Sequence, residues 1–264
     1  MRFLVTTLLV GMTVAAHAPT GPSQAPAAPP APSPAPRAKP LPAAGDLFAK
    51  YRLAIGGEAA IRKYTSRRTN GRFELPAQGI GGVFELLAAA PDRMRIRIDL
   101  GGLGTMQRGF DGTTGWALDP AVGPRVITGP ELDEMRHSAD FYYDLHDPKT
   151  FKSATVVERA PFEGRECYAV KIVRPSGFEV FEYYDVATGL IDGFRMSSTS
   201  SMGTVPSVVT VLEEYKPFGG VQSATRARQR VMGIESVMVV TSIDYTPIPA
   251  SAFELPAEIR ALKQ

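Results

Sequence analysis

The chain has 264 residues, 44% of them hydrophobic and 21% charged, and a formal net charge of +2. Three of its 29 basic residues (Arg2, Arg37 and Lys39) precede Gly45 and no acidic residue does, which leaves 26 basic and 27 acidic side chains after that point. Nothing in this balance indicates binding of nucleic acid, which would need a clustered excess of basic residues. A single cysteine, Cys167, excludes an internal disulfide, so the fold depends on its hydrophobic core.

Residues 1–18 have the pattern of a secretory signal peptide. Arg2 provides a positive start, residues 3–14 are mostly apolar, and small residues follow. The apolar run is short for a membrane span. Cleavage is possible after Ala16 or after Ala18, and we favour Ala16 because a proline follows Ala18. We therefore expect a periplasmic protein, tethered to the inner membrane if the signal is not removed.

Residues 19–44 form a segment rich in proline and alanine, with ten prolines in 26 residues. Such a composition favours polyproline II and can bury very little, so it predicts a disordered linker that spans about 80 Å when extended. Residues 45–264 are long enough for one sizeable core and contain no second linker, which predicts a single domain.

The domain is predicted to begin with helix and to continue as a series of strands. Asp46 is a suitable cap for a helix over residues 47–55, and residues 58–64 continue it after two glycines. Further along, Met94, Ile96 and Ile98 alternate with arginines, as in a half-buried strand. Similar runs recur at 72–75, 83–89, 104–110, 115–118, 154–159, 167–173, 178–185, 190–198, 208–215, 225–231 and 236–245. Short turns between most of them predict antiparallel neighbours.

A second helix of about 14 residues is predicted within residues 128–144. Thr128 and Glu131 have the spacing of a capping box, with a proline in the first turn. Leu132, Met135 and Tyr142 then recur at helical spacing. The fold class is therefore α+β and mostly β: a large curved antiparallel sheet of about eleven strands, with an N-terminal helix and one inserted helix on its concave face.

Several short phrases, in this order, resemble the bacterial LolA-like and LolB-like outer-membrane lipoprotein carriers and the wider lipoprotein-sorting group. They are Gly57-Glu58-Ala59-Ala60, Ala90-Pro91-Asp92-Arg93, Phe110-Asp111-Gly112 with Gly115-Trp116, Tyr183-Tyr184-Asp185 with Thr188-Gly189-Leu190, Glu213-Glu214-Tyr215 and Phe253-Glu254-Leu255-Pro256. The resemblance covers roughly residues 46–260 and implies an unclosed half-barrel whose apolar cavity holds acyl chains. The arginine that regulates this cavity in dedicated carriers matches no motif here, so free lipid or glycolipid is as acceptable a cargo as lipoprotein.

The side chains expected to line such a cavity are the large apolar ones at alternating strand positions. They are Met94, Ile96, Ile98, Phe110, Trp116, Phe181, Tyr183, Phe194 and Met196, with Leu132, Met135 and Tyr142 as candidates for a helical lid. Methionine and aromatic side chains suit flexible chains. The same residues could instead make a close-packed core, in which case the protein is a cargo-free interaction module of an envelope complex.

The sequence offers no convincing catalytic residue, cofactor motif or metal site. His137, Asp140 and Asp144 form the polar side that an amphipathic helix needs, and Cys167 lies in a strand pattern where a small buried side chain is expected. We therefore expect a non-catalytic carrier or sensor rather than an esterase or glycosidase. Two arginine rows, at 93, 95 and 97 and at 226, 228 and 230, are either a solvated outer surface or a basic patch for lipid headgroups or a partner protein.

Overall fold

The computed structural model describes residues 40–200 and 203–263. The predicted signal peptide and residues 19–39 of the predicted linker lie outside these ranges. The first helix begins at Ala44, the last residue assigned to the linker. No helix in the described ranges is both long and apolar enough to cross a membrane.

Four helices occur in the described residues. Their bounds are Ala44–Ala54 (α1), Glu58–Arg62 (α2), Gly129–Ala139 (α3) and Ala257–Ala261 (α4). Helix α3 has eleven residues instead of about 14, and a 3-10 turn, Tyr143–Leu145, follows it. Thr128 occupies the N-cap position, but its side chain makes no capping hydrogen bond. The predicted capping box is absent because Glu131 binds two arginines of the sheet instead.

Thirteen strands form one sheet, compared with about eleven predicted. Their bounds are Ser66–Leu75 (β1), Ile80–Ala89 (β2), Arg93–Asp99 (β3), Thr105–Phe110 (β4), Gly115–Asp119 (β5), Gly123–Ile127 (β6), Ser153–Phe162 (β7), Arg165–Val173 (β8), Glu179–Asp185 (β9), Ile191–Ser200 (β10), Gly203–Phe218 (β11), Val221–Val231 (β12) and Ile234–Asp244 (β13). The sequence patterns missed β6, which contains Pro124. Proline is accommodated there because β6 is an edge strand.

The strand order is β6-β5-β4-β3-β2-β1-β13-β12-β11-β10-β9-β8-β7, and every neighbouring pair is antiparallel. The chain builds the sheet outward from β1 to β6, resumes at the other edge with β7, and returns to pair β13 with β1. Strands β6 and β7 do not pair, so the sheet is open. The predicted fold class, α+β with an open, curved antiparallel sheet, is confirmed.

Helix α3 lies across the curve of this sheet. It contacts β4 and β5 and also β10, although six strands separate β4 from β10 in the sheet order. The segment between β6 and β7 must cross from one edge of the sheet to the other, and α3 makes this crossing. The helix therefore lies on the concave face, as predicted.

The concave face buries most of the apolar side chains, in three groups. Helix α1 packs on the β7–β12 half, where the Phe48 and Tyr184 rings are 5.9 Å apart. Phe73, Phe84, Ile96 and Met238 form a second group on β1, β2, β3 and β13. A third group joins β3, β4, β5 and β6 to α3.

The opposite face of the sheet has tight packing at Gly109 of β4. Trp116 pairs with Gly109 across the β4–β5 ladder and is almost completely buried. A Cβ atom at residue 109 would lie 2.5 Å from Cζ2 of the indole ring, closer than van der Waals contact allows. The indole therefore requires glycine at this position.

We expect Gly109→Ala to lower the free energy of unfolding by about 1–3 kcal/mol, because the added methyl group overpacks the site. Urea denaturation followed by the fluorescence of Trp116, the single tryptophan, measures this change. Gly81→Ala is the matched control, since the nearest atom to a Cβ there is the Phe73 carbonyl oxygen at 3.9 Å. Equal stability of the two variants would contradict the packing argument.

Candidate functional site

A pocket lies between α3, the turn after it, and strands β9 and β10. The pocket is open on one side, and the space within it and in front of its mouth is about 550 Å³. Its apolar wall consists of Val180, Phe194 and Met196, and Met196 pairs with Val180 across the β9–β10 ladder. The remaining lining residues are Glu134, His137, Ser138, Phe141, Tyr143, Asp144, Arg174 and Glu182. The pocket is therefore amphipathic, with an apolar surface from the sheet and a mostly polar one from α3 and its turn.

The first turn of α3 is fixed to the sheet by a carboxylate between two arginines. Glu131 accepts hydrogen bonds from Arg108 Nη2 at 2.7 Å, from Arg125 Nη1 at 2.7 Å and from Arg125 Nη2 at 2.8 Å. Burial by itself would raise the pKa of Glu131, but the hydrogen bonds from Arg125 and the charge of Arg108 outweigh it and lower the pKa. The carboxylate is thus ionised and holds α3 to β4 and β6.

The next turn of α3 is tied to the other half of the sheet. Glu134 forms a buried ion pair with Arg174, which directly follows β8. Burial raises the pKa of Glu134 despite the opposing charge of Arg174. Two glutamates three residues apart therefore connect α3 to β4 and β6 on one side and to the end of β8 on the other.

A second polar cluster fixes the turn that follows α3. Glu182 of β9 is fully buried and accepts hydrogen bonds from Tyr143 at 2.7 Å and from Tyr184. His146 Nε2 lies 3.0 Å from the same carboxylate, and the imidazole stacks on Phe48 of α1 with ring centroids 4.4 Å apart. One buried carboxylate thereby connects the turn to β9, and the histidine ring connects it to α1.

Sequence reasoning missed Glu182, although the sequence contained a signal for it. Strand β9 alternates Val180, Glu182 and Tyr184 on one face with Phe181 and Tyr183 on the other. A lone acid between a valine and a tyrosine at alternate positions indicates a buried carboxylate that needs donors. The sequence pattern instead assigned Phe181 and Tyr183, which lie on the other face of β9, to the cavity.

Of the nine predicted cavity residues, the structure brings two to the pocket, Phe194 and Met196. Four others are on the concave face but belong to the packed core. Met94 and Phe110 pack with Met135 of α3, whereas Ile96 and Ile98 pack with Phe84 and its neighbours. All four are almost fully buried.

The other three, Trp116, Phe181 and Tyr183, are on the opposite face of the sheet. Trp116 covers Gly109, and Tyr183 stacks on Phe162 with centroids 4.0 Å apart. Phe181 packs against the same group as Tyr183. Strand alternation separates these three from the pocket because residues one position apart point to opposite faces.

The predicted lid residues are close to the sheet but do not line the pocket. Leu132 and Met135 pack against the third core group, which includes Phe110. The Tyr142 hydroxyl donates a hydrogen bond to the Tyr64 carbonyl oxygen at 3.0 Å. Tyr142 also packs against the core group that contains Phe194 and Met196, although it does not line the pocket.

The polar residues predicted on α3, and Cys167, show no arrangement typical of a catalytic or metal site. Asp140 accepts a hydrogen bond from the Tyr142 backbone, while His137 and Asp144 line the pocket. The described residues contain no group of three or more His, Cys, Asp or Glu side chains placed to hold a metal ion. Cys167 is completely buried and its thiol donates to Asp192 at 3.4 Å; burial and this carboxylate raise its pKa to about 12.

Both arginine rows lie beside acidic side chains. Arg95 and Arg97 pair with Glu85 and Asp99. Arg226 and Arg228 pair with Glu213, and Arg230 pairs with Glu163. This pairing balances much of the positive charge of the two rows and favours a solvated outer surface over a basic patch.

The fold is that of the lipoprotein-sorting proteins. A LolA superfamily protein from Nitrosomonas europaea superimposes with a TM-score of 0.55 at 12% identity, covering 81% of this chain and 99% of the other. A domain assigned to outer membrane lipoprotein sorting from Vibrio parahaemolyticus gives 0.50 at 13% identity, covering 83% and 97%. A DUF1329 family protein from Desulfovibrio piger gives 0.55 at 10% identity, covering 80% and 96%. The predicted resemblance is therefore confirmed for the fold.

The likeness to known proteins is established by the superpositions of structure. No family model and no curated protein matches the chain. At identities of 10–13% the superpositions establish a LolA-like half-barrel and nothing about its cargo.

We expect Cys167 to resist thiol reagents in the folded protein, because a buried thiol with a pKa of about 12 forms almost no thiolate at pH 8. Reaction with Ellman's reagent should be absent in buffer and stoichiometric in denaturant. Rapid labelling of the folded protein would show that this part of the sheet opens easily.

We expect Glu131→Gln to lower the free energy of unfolding at pH 7 by about 3 kcal/mol, because it leaves two arginines without their carboxylate. The pKa of Glu131 is lowered from its ordinary 4.5, so its stabilising effect is complete above that value and is lost as the pH falls towards the lowered pKa. Urea denaturation at pH 7 and at about pH 3 should therefore show a deficit that shrinks on acidification.

Asp133→Asn on the exposed side of α3 is the control for Glu131→Gln. Asp133 pairs with Arg136 at 3.4 Å, and both side chains are about half exposed, so the change should cost less than about 0.5 kcal/mol. A deficit for Glu131→Gln that is independent of pH would contradict the ionised pair.

Proposed function

We propose that the protein is a non-catalytic carrier or sensor of the cell envelope that binds an acyl chain of a lipid or lipoprotein in the pocket beneath α3. The observation that carries this proposal is the apolar wall formed by Val180, Phe194 and Met196, which faces polar side chains of the helix. The half-barrel fold shared with lipoprotein-sorting proteins supports it.

The energetics favour such a ligand. Each methylene group transferred from water to an apolar surface contributes about 0.8 kcal/mol, so burial of eight of them contributes about 6 kcal/mol before the cost of ordering is subtracted. Micromolar binding requires about 8 kcal/mol, so contacts with the polar end of the ligand must supply the difference. Met196 and Phe194 suit a flexible chain because thioether and aromatic groups adapt to irregular shapes.

The polar residues of the pocket fit the other end of an amphiphile. Arg174 and His137 can bind a carboxylate or phosphate oxygen, whereas Glu134 and Asp144 can accept hydrogen bonds from hydroxyl or amino groups. A long chain needs more room than the pocket provides, so its entry requires α3 to separate from Phe110 and its neighbours. The ion pairs of Glu131 and Glu134 oppose this movement and thereby set the affinity.

The proposed cellular location follows from the N-terminal sequence. Residues 1–18 direct export, and the linker predicted over residues 19–44 allows the domain to extend from the membrane to its partner. In this arrangement the carrier works in the periplasm, either free or tethered through an uncleaved signal.

Filling the pocket tests this function directly. We expect Ser138→Trp to lower the affinity for a fluorescent fatty acid at least about tenfold, because an indole at this position occupies the space beside Phe194 and Met196. Fluorescence titration measures the change. Arg136→Trp is the matched control, because it adds the same side chain to the exposed side of the same helix.

Native mass spectrometry of protein purified from cells provides the second test. A co-purifying lipid that is lost in Ser138→Trp and kept in Arg136→Trp supports the carrier. Absence of both lipid and fatty acid uptake in the wild type would contradict it and favour the cargo-free interaction module, for which the packed core around Ile96 and Phe110 would be sufficient.

A further inference from the structure

One end of the sheet has four neighbouring turns that contain no charged residue. They connect β1 to β2, β3 to β4, β5 to β6 and β12 to β13, through residues 76–79, 100–104, 120–122 and 232–233. The eight strands are consecutive in the sheet, so alternate turns lie at the same end. Successive turns are two strands apart, or about 10 Å. We call this set of four turns the neutral end.

Large apolar side chains project from three of these turns. Leu103, Val122 and Met232 are 59%, 76% and 59% exposed. Val83 and Ile234, at the beginnings of β2 and β13, are also exposed. By contrast, the turns at the opposite end of the same strands include Asp92 and Asp111. Three of the exposed large hydrophobic residues are thus on turns without charge, whereas Val83 lies between Arg72 and Asp99 on the neighbouring strands.

The charged residues next to the turns are already bound. Asp99 accepts a hydrogen bond from the Gly101 backbone at 3.0 Å, and Asp119 accepts one from the Ala121 backbone at 2.8 Å. Further from the turns, Arg125 and Arg230 pair with acidic side chains. The charges behind the neutral end are therefore held by hydrogen bonds or ion pairs, and the groups that project from the turns are the apolar side chains.

We propose that the neutral end docks on the surface of a lipid bilayer, with Leu103, Val122 and Met232 inserted at the boundary between headgroups and acyl chains. A protein partner would bury a contiguous patch with large anchoring side chains. Here the turn of Leu103 lies about 10 Å from that of Val122 and about 20 Å from that of Met232. The surface of a bilayer is fluid and can accept single apolar side chains at separate points. This inference rests on the proposed function, since a carrier of acyl chains must exchange them with a membrane.

Sedimentation with vesicles of pure phosphatidylcholine tests the docking. We expect the wild-type protein to bind, and the variant with Leu103→Asp, Val122→Asp and Met232→Asp to bind at least about tenfold more weakly. Binding should change little between low and high salt, because paired charges contribute little to it.

The matched control carries the same three changes at exposed positions elsewhere, Leu53→Asp, Val157→Asp and Leu262→Asp, and should bind like the wild type. Equal loss in both variants, no binding by the wild type, or binding that needs anionic lipid and disappears in salt would overturn the proposal. Thermal denaturation verifies that each variant is folded.

A labelled turn gives a second measurement that does not depend on loss of binding. Because Cys167 is buried, a cysteine introduced as Leu103→Cys can be labelled selectively with a polarity-sensitive dye. We expect its emission to shift to the blue on addition of vesicles, and that of the same dye at Leu53→Cys to stay unchanged. A shift at both positions, or at neither, would contradict docking through the neutral end.

Fatty acid uptake without vesicles separates this inference from the proposed function. The triple variant at the neutral end should take up fatty acid normally, because its changes are outside the pocket. Normal uptake by a wild-type protein that ignores vesicles would refute the docking alone. Vesicle binding by a wild-type protein that takes up no fatty acid would refute the carrier function alone.

Discussion

The ion pairs of Glu131 and Glu134 are the interactions on which the rest of the structure depends. An open sheet of thirteen strands has two unpaired edges, and its curvature must be held by something that spans the concave face. Helix α3 does this because Glu131 binds Arg108 and Arg125 on one side, while Glu134 binds Arg174 on the other. Since breaking a buried pair leaves an uncompensated charge, both contacts resist separation strongly.

The position of α3 also determines where space is left. On the side of β3, β4 and β5 its apolar residues complete a closely packed core around Phe110. On the side of β9 and β10 it presents polar residues to Phe194 and Met196, and a pocket results. A single helix thus fills one half of the concave face and leaves room in the other.

Much of the architecture was accessible from the sequence, and the site much less so. Strand alternation and short turns predicted the antiparallel sheet, whereas β6 escaped because Pro124 is unusual except on an edge strand. Phe181 and Tyr183 were expected beside Phe194, but β9 turns them to the other face. Alternation defines two faces of a strand without saying which is concave. That choice comes from packing against α1 and α3, which local sequence does not encode.

The pairing of the first strand with the last has a consequence for how the chain reaches its folded state. Arg68 of β1 lies opposite Asp244 of β13, so the middle of the sheet is assembled from opposite ends of the domain. Contacts between residues so distant in sequence make folding slow, because a large loop must close before they form. The sheet can therefore be completed only when nearly the whole domain is available to pair.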